Sequence, residues 1–407
     1  MNVSSKDMRL EKNQINKESS AGLKLSRRHE WVVQSEIRNM SIECDRLGGI
    51  NLSQGICDVE VPDIVQAGAK AAIEQGLNSY SRYDGVAELR QVIAEKQKVF
   101  TGLDFDPETE IVVSSGSTGA FYCACLALLD PGDEVILFEP YYGYHLSTLV
   151  AVQAVPRFMR TIPPNWEFSQ KDLEKALTPR TRAILINTPN NPTGKVFSWN
   201  ELDMIARFAC EHELFVFTDE IYEHFIYDGE KHISLAAFPR MKERTITVSG
   251  LSKTFNITGW RVGYCLCDAR WAQSIGFFSD LIYVCSPTPL QWGVVRGLRE
   301  LPPDYYKEIS LKYMRKRDKI CNALSKGKLT PYIPKGAYYV LADISRLPGK
   351  NSKERVMNLL HKAGVAGVPG EAFYHDEAGE NLARFCFAKE DNVLEEACRR
   401  IEKLALF

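Results

Sequence analysis

Ser249-Gly250-Leu251-Ser252-Lys253-Thr254-Phe255, followed closely by Gly259-Trp260-Arg261-Val262-Gly263-Tyr264, is the stretch that decides how this chain reads. The β-rich run Arg244-Thr245-Ile246-Thr247-Val248 leads into it, which places the lysine among small residues just past a strand end. An amine held where water is scarce loses basicity and can attack a carbonyl. Arg261 lies a short loop farther on and offers a fork of donors that suits a phosphate. A surface Ser-Lys turn before an ordinary basic residue has the same local look, so the surrounding chain must arbitrate.

Upstream, short runs at 110–113, 134–138, 182–186, 214–218 and 246–248 are apolar along their length. That pattern predicts strands buried on both faces of a mostly parallel sheet, with helices from 117 and over 199–211 between them. Helical spacing also predicts helices at 28–46, ended by Gly48-Gly49, at 62–75 and at 86–100. Pro302-Pro303 interrupts the alternation, and a charged helix over 305–324 follows. Strands at 336–341, 365–368 and 384–388 then alternate with helices, which predicts a smaller α+β domain.

The 407 residues carry 50 Lys and Arg against 52 Asp and Glu, so no general field draws the chain to nucleic acid or anionic lipid. No run approaches the length of a membrane span. Residues 1–24 are rich in Ser, Asn, Lys and Glu, and read as a disordered or weakly ordered arm. The arm lacks the apolar centre of a signal peptide and is too acidic for a transit peptide, which makes the cytoplasm the default compartment. Eleven cysteines without a C-x-x-C pair support neither a zinc site nor a disulfide framework, and no metal is expected.

The polar residues of the core cluster at predicted strand ends, where doubly wound sheets bind ligands. After Val113 comes Ser114-Ser115-Gly116-Ser117-Thr118-Gly119, running into a helix, which is either a plain Ser/Thr cap or an anion cradle. After Ile186 comes Asn187-Thr188-Pro189-Asn190-Asn191-Pro192-Thr193-Gly194, a rigid turn able to present an amide. After Thr218 comes Asp219-Glu220-Ile221-Tyr222, whose carboxylate is either a helix cap or the partner of a buried cation. A protonated pyridine nitrogen would be such a cation. With Lys253 and Arg261, these groups suggest pyridoxal phosphate.

The series Asn187-x-Pro189-x-Asn191-Pro192-x-Gly194, Asp219-x-x-Tyr222, Ser252-Lys253 and Arg261 resembles the class I/II aminotransferases of fold type I, from about Asn51 to the C-terminus. The resemblance implies a large cofactor-binding α/β domain over 62–300, its mostly parallel sheet lying between helices. A smaller α+β domain would be built from 301–407 and the N-terminal segment 25–61. It also implies roles. Lys253 resembles the lysine that forms the internal aldimine and moves the proton. Asp219 matches the partner of the pyridine nitrogen, and Asn191 and Tyr222 match the residues bonded to the ring oxygen. Arg261 and Gly116-Ser117-Thr118 match the phosphate cradle, with Ser252 beside them. Tyr142 matches the aromatic on the ring, with Tyr144 as second choice. Tyr80 resembles a tyrosine that reaches a neighbouring subunit's phosphate, which implies a homodimer. Arg384 aligns with the arginine that grips the α-carboxylate, and Gly55 with the glycine where backbone meets substrate.

Two positions depart from that pattern. Gly250 stands where many relatives carry a phosphate-binding serine, for which Ser249 or Ser252 would compensate, and Gly55-Ile56-Cys57-Asp58-Val59 is altered at the substrate entrance. The implied reaction is ping-pong transfer of an amino group from an α-amino acid to a 2-oxo acid. The alternatives are a β-lyase or cyclopropane-forming synthase on the same scaffold. An effector-binding regulator is disfavoured by the lack of a DNA-binding module. Thr118 replaces a lysine that serves distal carboxylates in some bacterial relatives, so a neutral or aromatic donor is expected. An acidic substrate would need a second cation, for which Arg82 and Arg296 are the candidates.

Overall fold

The computed structural model describes residues 25–26, 35–57 and 60–406. The arm at 1–24, the first turns of the helix expected from 28, and Asp58-Val59 of the entrance segment lie outside the described residues. In chain order the elements are α1 (Glu36–Arg46), β1 (Ile50–Asn51), α2 (Asp63–Glu74), α3 (Ala87–Phe100), β2 (Ile111–Ser115), α4 (Gly116–Leu128), β3 (Glu134–Glu139), α5 (Gly143–Ala151) and β4 (Val155–Arg160). Then come α6 (Gln170–Ala176), β5 (Thr181–Asn187), α7 (Trp199–Glu211), β6 (Phe215–Asp219), β7 (Thr245–Gly250), β8 (Val262–Leu266), α8 (Ala269–Tyr283) and α9 (Thr288–Glu300). The last are α10 (Pro303–Lys326), β9 (Thr330–Tyr332), β10 (Tyr339–Asp343), α11 (Ser352–Ala363), β11 (Val365–Ala366), β12 (Val368–Pro369), β13 (Leu382–Cys386) and α12 (Asp391–Glu402).

Seven strands form one sheet in the order β2-β8-β7-β6-β5-β3-β4. All neighbours run parallel except β8, which is antiparallel to both β2 and β7. Alternate residues of each strand face opposite sides, and both sides are covered. Leu137, Leu185, Phe217 and Val248 pack with Phe121 of α4, Leu149 of α5 and Ile275 of α8. Ile136, Ile184 and Val216 pack on the other face with Leu173 of α6 and with Leu202 and Ile205 of α7. Strands buried on two faces have no polar alternation, which is why their sequences read as continuous apolar runs. Truncating a fully buried ring such as Phe217 would cost about 3–5 kcal/mol.

A second, antiparallel sheet runs β12-β13-β10-β9. Its core joins Val340, Ala342 and Phe385 to Ile320 and Leu324 of α10 and Leu394 and Ile401 of α12. Separately, β1 pairs in parallel with β11, Ile50 beside Val365 and Asn51 beside Ala366. The early chain is thereby stitched to its last quarter.

Three strands differ from the sequence expectation. β4 carries Pro156 and sits at the edge of the large sheet, where a missing donor is tolerated but the strand signal is weak. β8 contains Gly263, whose added Cβ would lie 2.3 Å from the Ser117 nitrogen, so close approach to α4 excludes a β-forming residue. β9 is three residues long with Pro331 at its centre. Among the described residues no helix is long and apolar enough to cross a membrane.

Candidate active site

The parallel strands β5, β6 and β7 end side by side, with Asn187 level with Asp219 and Asp219 level with Val248. Loops leaving these ends converge on a cavity of about 440 Å³. Lys253 lies in the turn after β7, and its Nζ donates to the Gly55 carbonyl at 3.3 Å. Burial holds the amine below its usual lysine range, with the nearby Arg261 guanidinium acting in the same direction.

Asp219 accepts at Oδ2 from the His145 ring, Nε2 at 2.9 Å, and at Oδ1 from the Ile221 N–H. His145 comes from α5 and is buried against Phe121 and the edge of Tyr142. Asn187 ties the β5 and β6 ends together, its Nδ2 donating to the Asp219 carbonyl at 2.9 Å. Its Oδ1 accepts from the Asn191 N–H at 2.7 Å, which fixes the turn that presents the Asn191 amide.

A second group gathers at the N-terminus of α4. Arg261 has left-handed backbone, φ 57°, unusual for a residue with a side chain. Its guanidinium donates to the Thr258 and Ser115 carbonyls and lies against Gly116. A Cβ on Gly116 would sit 2.3 Å from Arg261 Nη2, so only glycine admits the guanidinium at this helix start. Ser117, Thr118 and Ser252 line the same wall, and their hydroxyls have no hydrogen-bond partner among the described residues. Ser249 points elsewhere, donating to the buried Glu223 carboxylate at 3.1 Å. Of the two serines weighed against Gly250, Ser252 faces the cavity. Gly250 itself lies against Gly263, where a Cβ would come within 3.0 Å of backbone.

The remaining wall comes from the antiparallel sheet and the segment after β1. Arg384 of β13 is 1% exposed. Its guanidinium lies 4.3 Å above the centre of the Tyr339 ring. Nη1 donates to Asn191 Oδ1 at 2.9 Å and Nη2 to the Ser53 carbonyl, while the buried Nε–H has no partner among the described residues. A fully buried guanidinium with no carboxylate paired to it among the described residues is a site prepared for an anion. Gly55 is pressed against Tyr339, where a Cβ would fall 1.9 Å from the hydroxyl. Tyr222 meets that hydroxyl at 3.0 Å, and burial raises its phenol well above the usual tyrosine range.

Tyr142 and Tyr144 both line the cavity, with Tyr142 edge-on to the histidine that holds Asp219. Of the expected cofactor and substrate residues, Tyr80 and Gly116 do not line the cavity: Tyr80 is 81% exposed, and Gly116 lies against the Arg261 guanidinium. Neither Arg82 nor Arg296 reaches the cavity; they pair with Asp84 and Glu108 and with Glu300. His145, Tyr339, Phe121 and Arg38 also line it and were not anticipated. A histidine just after Tyr142-Gly143-Tyr144 is the only sequence cue for the first, and the aromatic pair Tyr338-Tyr339 reads as core. Glu220, Glu223 and His232 lie within reach of a common ion away from the cavity, but Lys96 already pairs with Glu223 at 2.6 Å.

Residues 48–401 match the family described as aminotransferase class I and II. An aromatic-amino-acid aminotransferase 2 of Thermococcus litoralis is 37% identical over 383 residues, 93% of this chain and 98% of that protein. The methionine aminotransferase of Escherichia coli is 34% identical over 367 residues, 90% and 94% of the two chains. The solved N-succinyldiaminopimelate aminotransferase of Mycobacterium tuberculosis superposes with a TM-score of 0.90 at 35% identity, covering 94% of this chain and 100% of that one.

Proposed function

Because this chain belongs to the class I and II aminotransferases, a pyridoxal-phosphate-dependent family, we propose that Lys253 is its catalytic lysine and that its cavity divides into a cofactor wall and a substrate wall. The enzyme transfers an amino group between an amino acid and a 2-oxo acid, and its aminotransferase relatives favour transfer over the β-lyase or synthase alternative. The residues present fit the cofactor. The glycine that admits Arg261, the three hydroxyls beside it that have no partner among the described residues, and the carboxylate of Asp219 at a strand end supply an anion cradle and a cation partner for one cavity.

Bound pyridoxal phosphate supplies an electron sink for charge developing at the substrate Cα. Lys253, its basicity lowered by burial, would take the proton from the substrate Cα and carry it during the transfer. Asp219, oriented by His145, would accept a hydrogen bond from the protonated ring nitrogen. Arg261, Gly116, Ser117, Thr118 and Ser252 hold the phosphate, and Asn191 and Tyr222 hold the ring oxygen. Tyr142, which lines the same cavity edge-on to His145, would supply an aromatic face for the cofactor ring. Arg384, steadied by Asn191 and Ser53, takes the α-carboxylate, and Gly55 lines the approach.

Tyr80 completes the phosphate cradle of a second copy, a role that suits a tyrosine so exposed in the single chain. Segment 25–61 belongs with 301–407 as the smaller domain, on the strength of the β1–β11 pair, leaving 62–300 as the larger. Eleven free thiols suit a reducing compartment, and we assign the enzyme to the cytoplasm.

The carrying observation is that Lys253, Asp219, Arg261 and Arg384, from four separate segments, line one cavity. Ile37, Ile56 and Tyr144 on its outer wall support a neutral or aromatic donor, with 2-oxoglutarate or another 2-oxo acid as acceptor. The test adds amino acids one at a time to holoenzyme and follows the cofactor absorbance. Neutral or aromatic donors should convert it; conversion by none would refute the reading.

A further inference from the structure

We propose that a second cavity, at the end of the large sheet opposite the active site, binds a small dianionic phosphate, free or carried as a monoester. It measures about 460 Å³ and opens where β5 and β6 begin and just before β7. Arg182, Arg240, Arg244 and Arg270 line it, together with Phe215 and Trp271. Asn187, Asp219 and the turn carrying Lys253 lie at the other ends of the same strands, so the two cavities are separate. Binding here does not depend on the reaction proposed for the first.

Four guanidiniums share this cavity with two carboxylates, those of Glu213 and Glu243. Among the described residues, Arg270 alone of the four forms hydrogen bonds to a carboxylate, that of Asp268 at 2.8 and 3.0 Å. Arg240 stands 3.6 Å from Glu213. Arg244 stands 3.5 Å from Glu213 and 4.0 Å from Glu243, with a hydrogen bond to neither. Arg182 pairs with no acid among the described residues. Glu213 and Glu243 are 74% and 50% exposed, so water screens what attraction they offer. Arg244 is only 8% exposed. Its donors reach the Arg240 and Ala209 carbonyls, and Nη2 has no hydrogen bond among the described residues. A buried guanidinium with a donor left over on a cavity wall attracts an anion.

Two of the four are already held by aromatic faces. The Arg182 guanidinium lies 5.0 Å over the centre of the Phe215 ring, and that of Arg270 lies 5.0 Å over Trp271. The two rings meet edge to face at 5.1 Å, and the Trp271 indole N–H donates to the Glu243 carbonyl at 2.9 Å. Little side-chain freedom is then lost when a ligand arrives. A phosphate suits the set better than a carboxylate, because it brings more charge and more acceptor oxygens to several forks at once.

The test titrates holoenzyme, whose active-site cradle is already filled, with inorganic phosphate and with adenosine monophosphate. Calorimetry at about pH 8 and low ionic strength keeps the phosphate dianionic and the attraction unscreened. A single ligand should bind per chain with a Kd of about 1 mM or tighter. Equal affinities assign the cavity to free phosphate, and tighter binding of the nucleotide assigns it to a monoester. The double variant Arg182→Gln/Arg240→Gln changes two exposed positions and should weaken binding about tenfold or more. Glu213→Gln removes a competing carboxylate and should strengthen it about threefold. Binding of neither ligand, or wild-type affinity in the double variant, overturns the proposal. Equal binding of adenosine, which lacks the phosphate, overturns it too.

Discussion

The two walls of the cavity are built differently. The cofactor wall is made of loops leaving parallel strands, each anchored by a strand buried on both faces, so Asp219, Asn191 and Lys253 inherit positions fixed by the sheet. The substrate wall is assembled from distant pieces: β13 supplies Arg384, the segment after β1 supplies Ser53 and Gly55, and α1 supplies Arg38. On the proposed assignment, the first wall holds a group common to every turnover, and the second meets ligands that change within a single cycle. Damage to the first should therefore be large and independent of substrate. Damage to the second should spare the cofactor.

Lys253→Ala tests the extreme of that contrast. Turnover should fall on the order of 10⁴-fold, because both proton transfers lose their carrier. Borohydride reduction followed by peptide mass spectrometry should find the cofactor joined to Lys253 in wild type and to no lysine in the variant. Asp219→Asn keeps size and removes charge, and should cost about 10²–10³-fold in kcat with weakened cofactor retention. A near-normal rate would reduce Asp219 to a structural cap.

Arg384→Lys probes the other wall. It keeps charge but gives up the two-pronged grip, so kcat/KM should drop by about 2 kcal/mol in transition-state stabilisation while cofactor content stays near wild type. The loss should be equal for all donors, since each carries the same α-carboxylate; a loss that tracks the side chain would move Arg384 to a distal subsite. His145→Ala, which removes only the residue steadying Asp219, should cost about tenfold. It should add nothing in an Asp219→Asn background, the signature of a residue acting through its neighbour.

The smallest effect concerns stability. The folded pKa of Lys253 lies below its ordinary 10.5, so between the two values the unfolded chain binds more protons. Stability then rises with pH through that window, and below it the buried amine is a full penalty. Lys253→Met apoprotein should melt roughly 1–3 °C above wild-type apoprotein at pH 7, the gap closing as pH approaches 10.5. Calorimetry across that range checks the sign.

The difference between the walls also decides what could be read from the chain. Asn187, Asp219 and Lys253 follow apolar strands directly, and a polar residue at such a boundary stands out. Arg384 emerged only through family resemblance, because an arginine in a short strand otherwise reads as exposed, whereas this one is fully buried. His145, Tyr339 and Arg38 were missed for a shared reason. Each sits inside an ordinary helix or strand, and its role depends on which neighbour the fold brings across, which no local pattern records. Pro156 in β4 and Gly263 in β8 hid two strands in the same way, since each residue answers to an edge or a close crossing rather than to strand propensity.

The stitch between Ile50-Asn51 and Val365-Ala366 also has a bearing on how the molecule is made. All seven strands of the large sheet lie between residues 111 and 266, so that sheet is complete while the last third of the chain is still being synthesised. Leu52 must wait for Cys386, whose N–H it accepts at 2.7 Å, and Ser53 must wait for Arg384. Such distant pairings form late, because the closure entropy precedes any reward in contacts. On the proposed roles, synthesis reaches the residues of the phosphate cradle well before the arginine that would grip an amino acid. A chain that stops short of β13 contains the residues of that cradle and lacks the arginine that would hold a substrate.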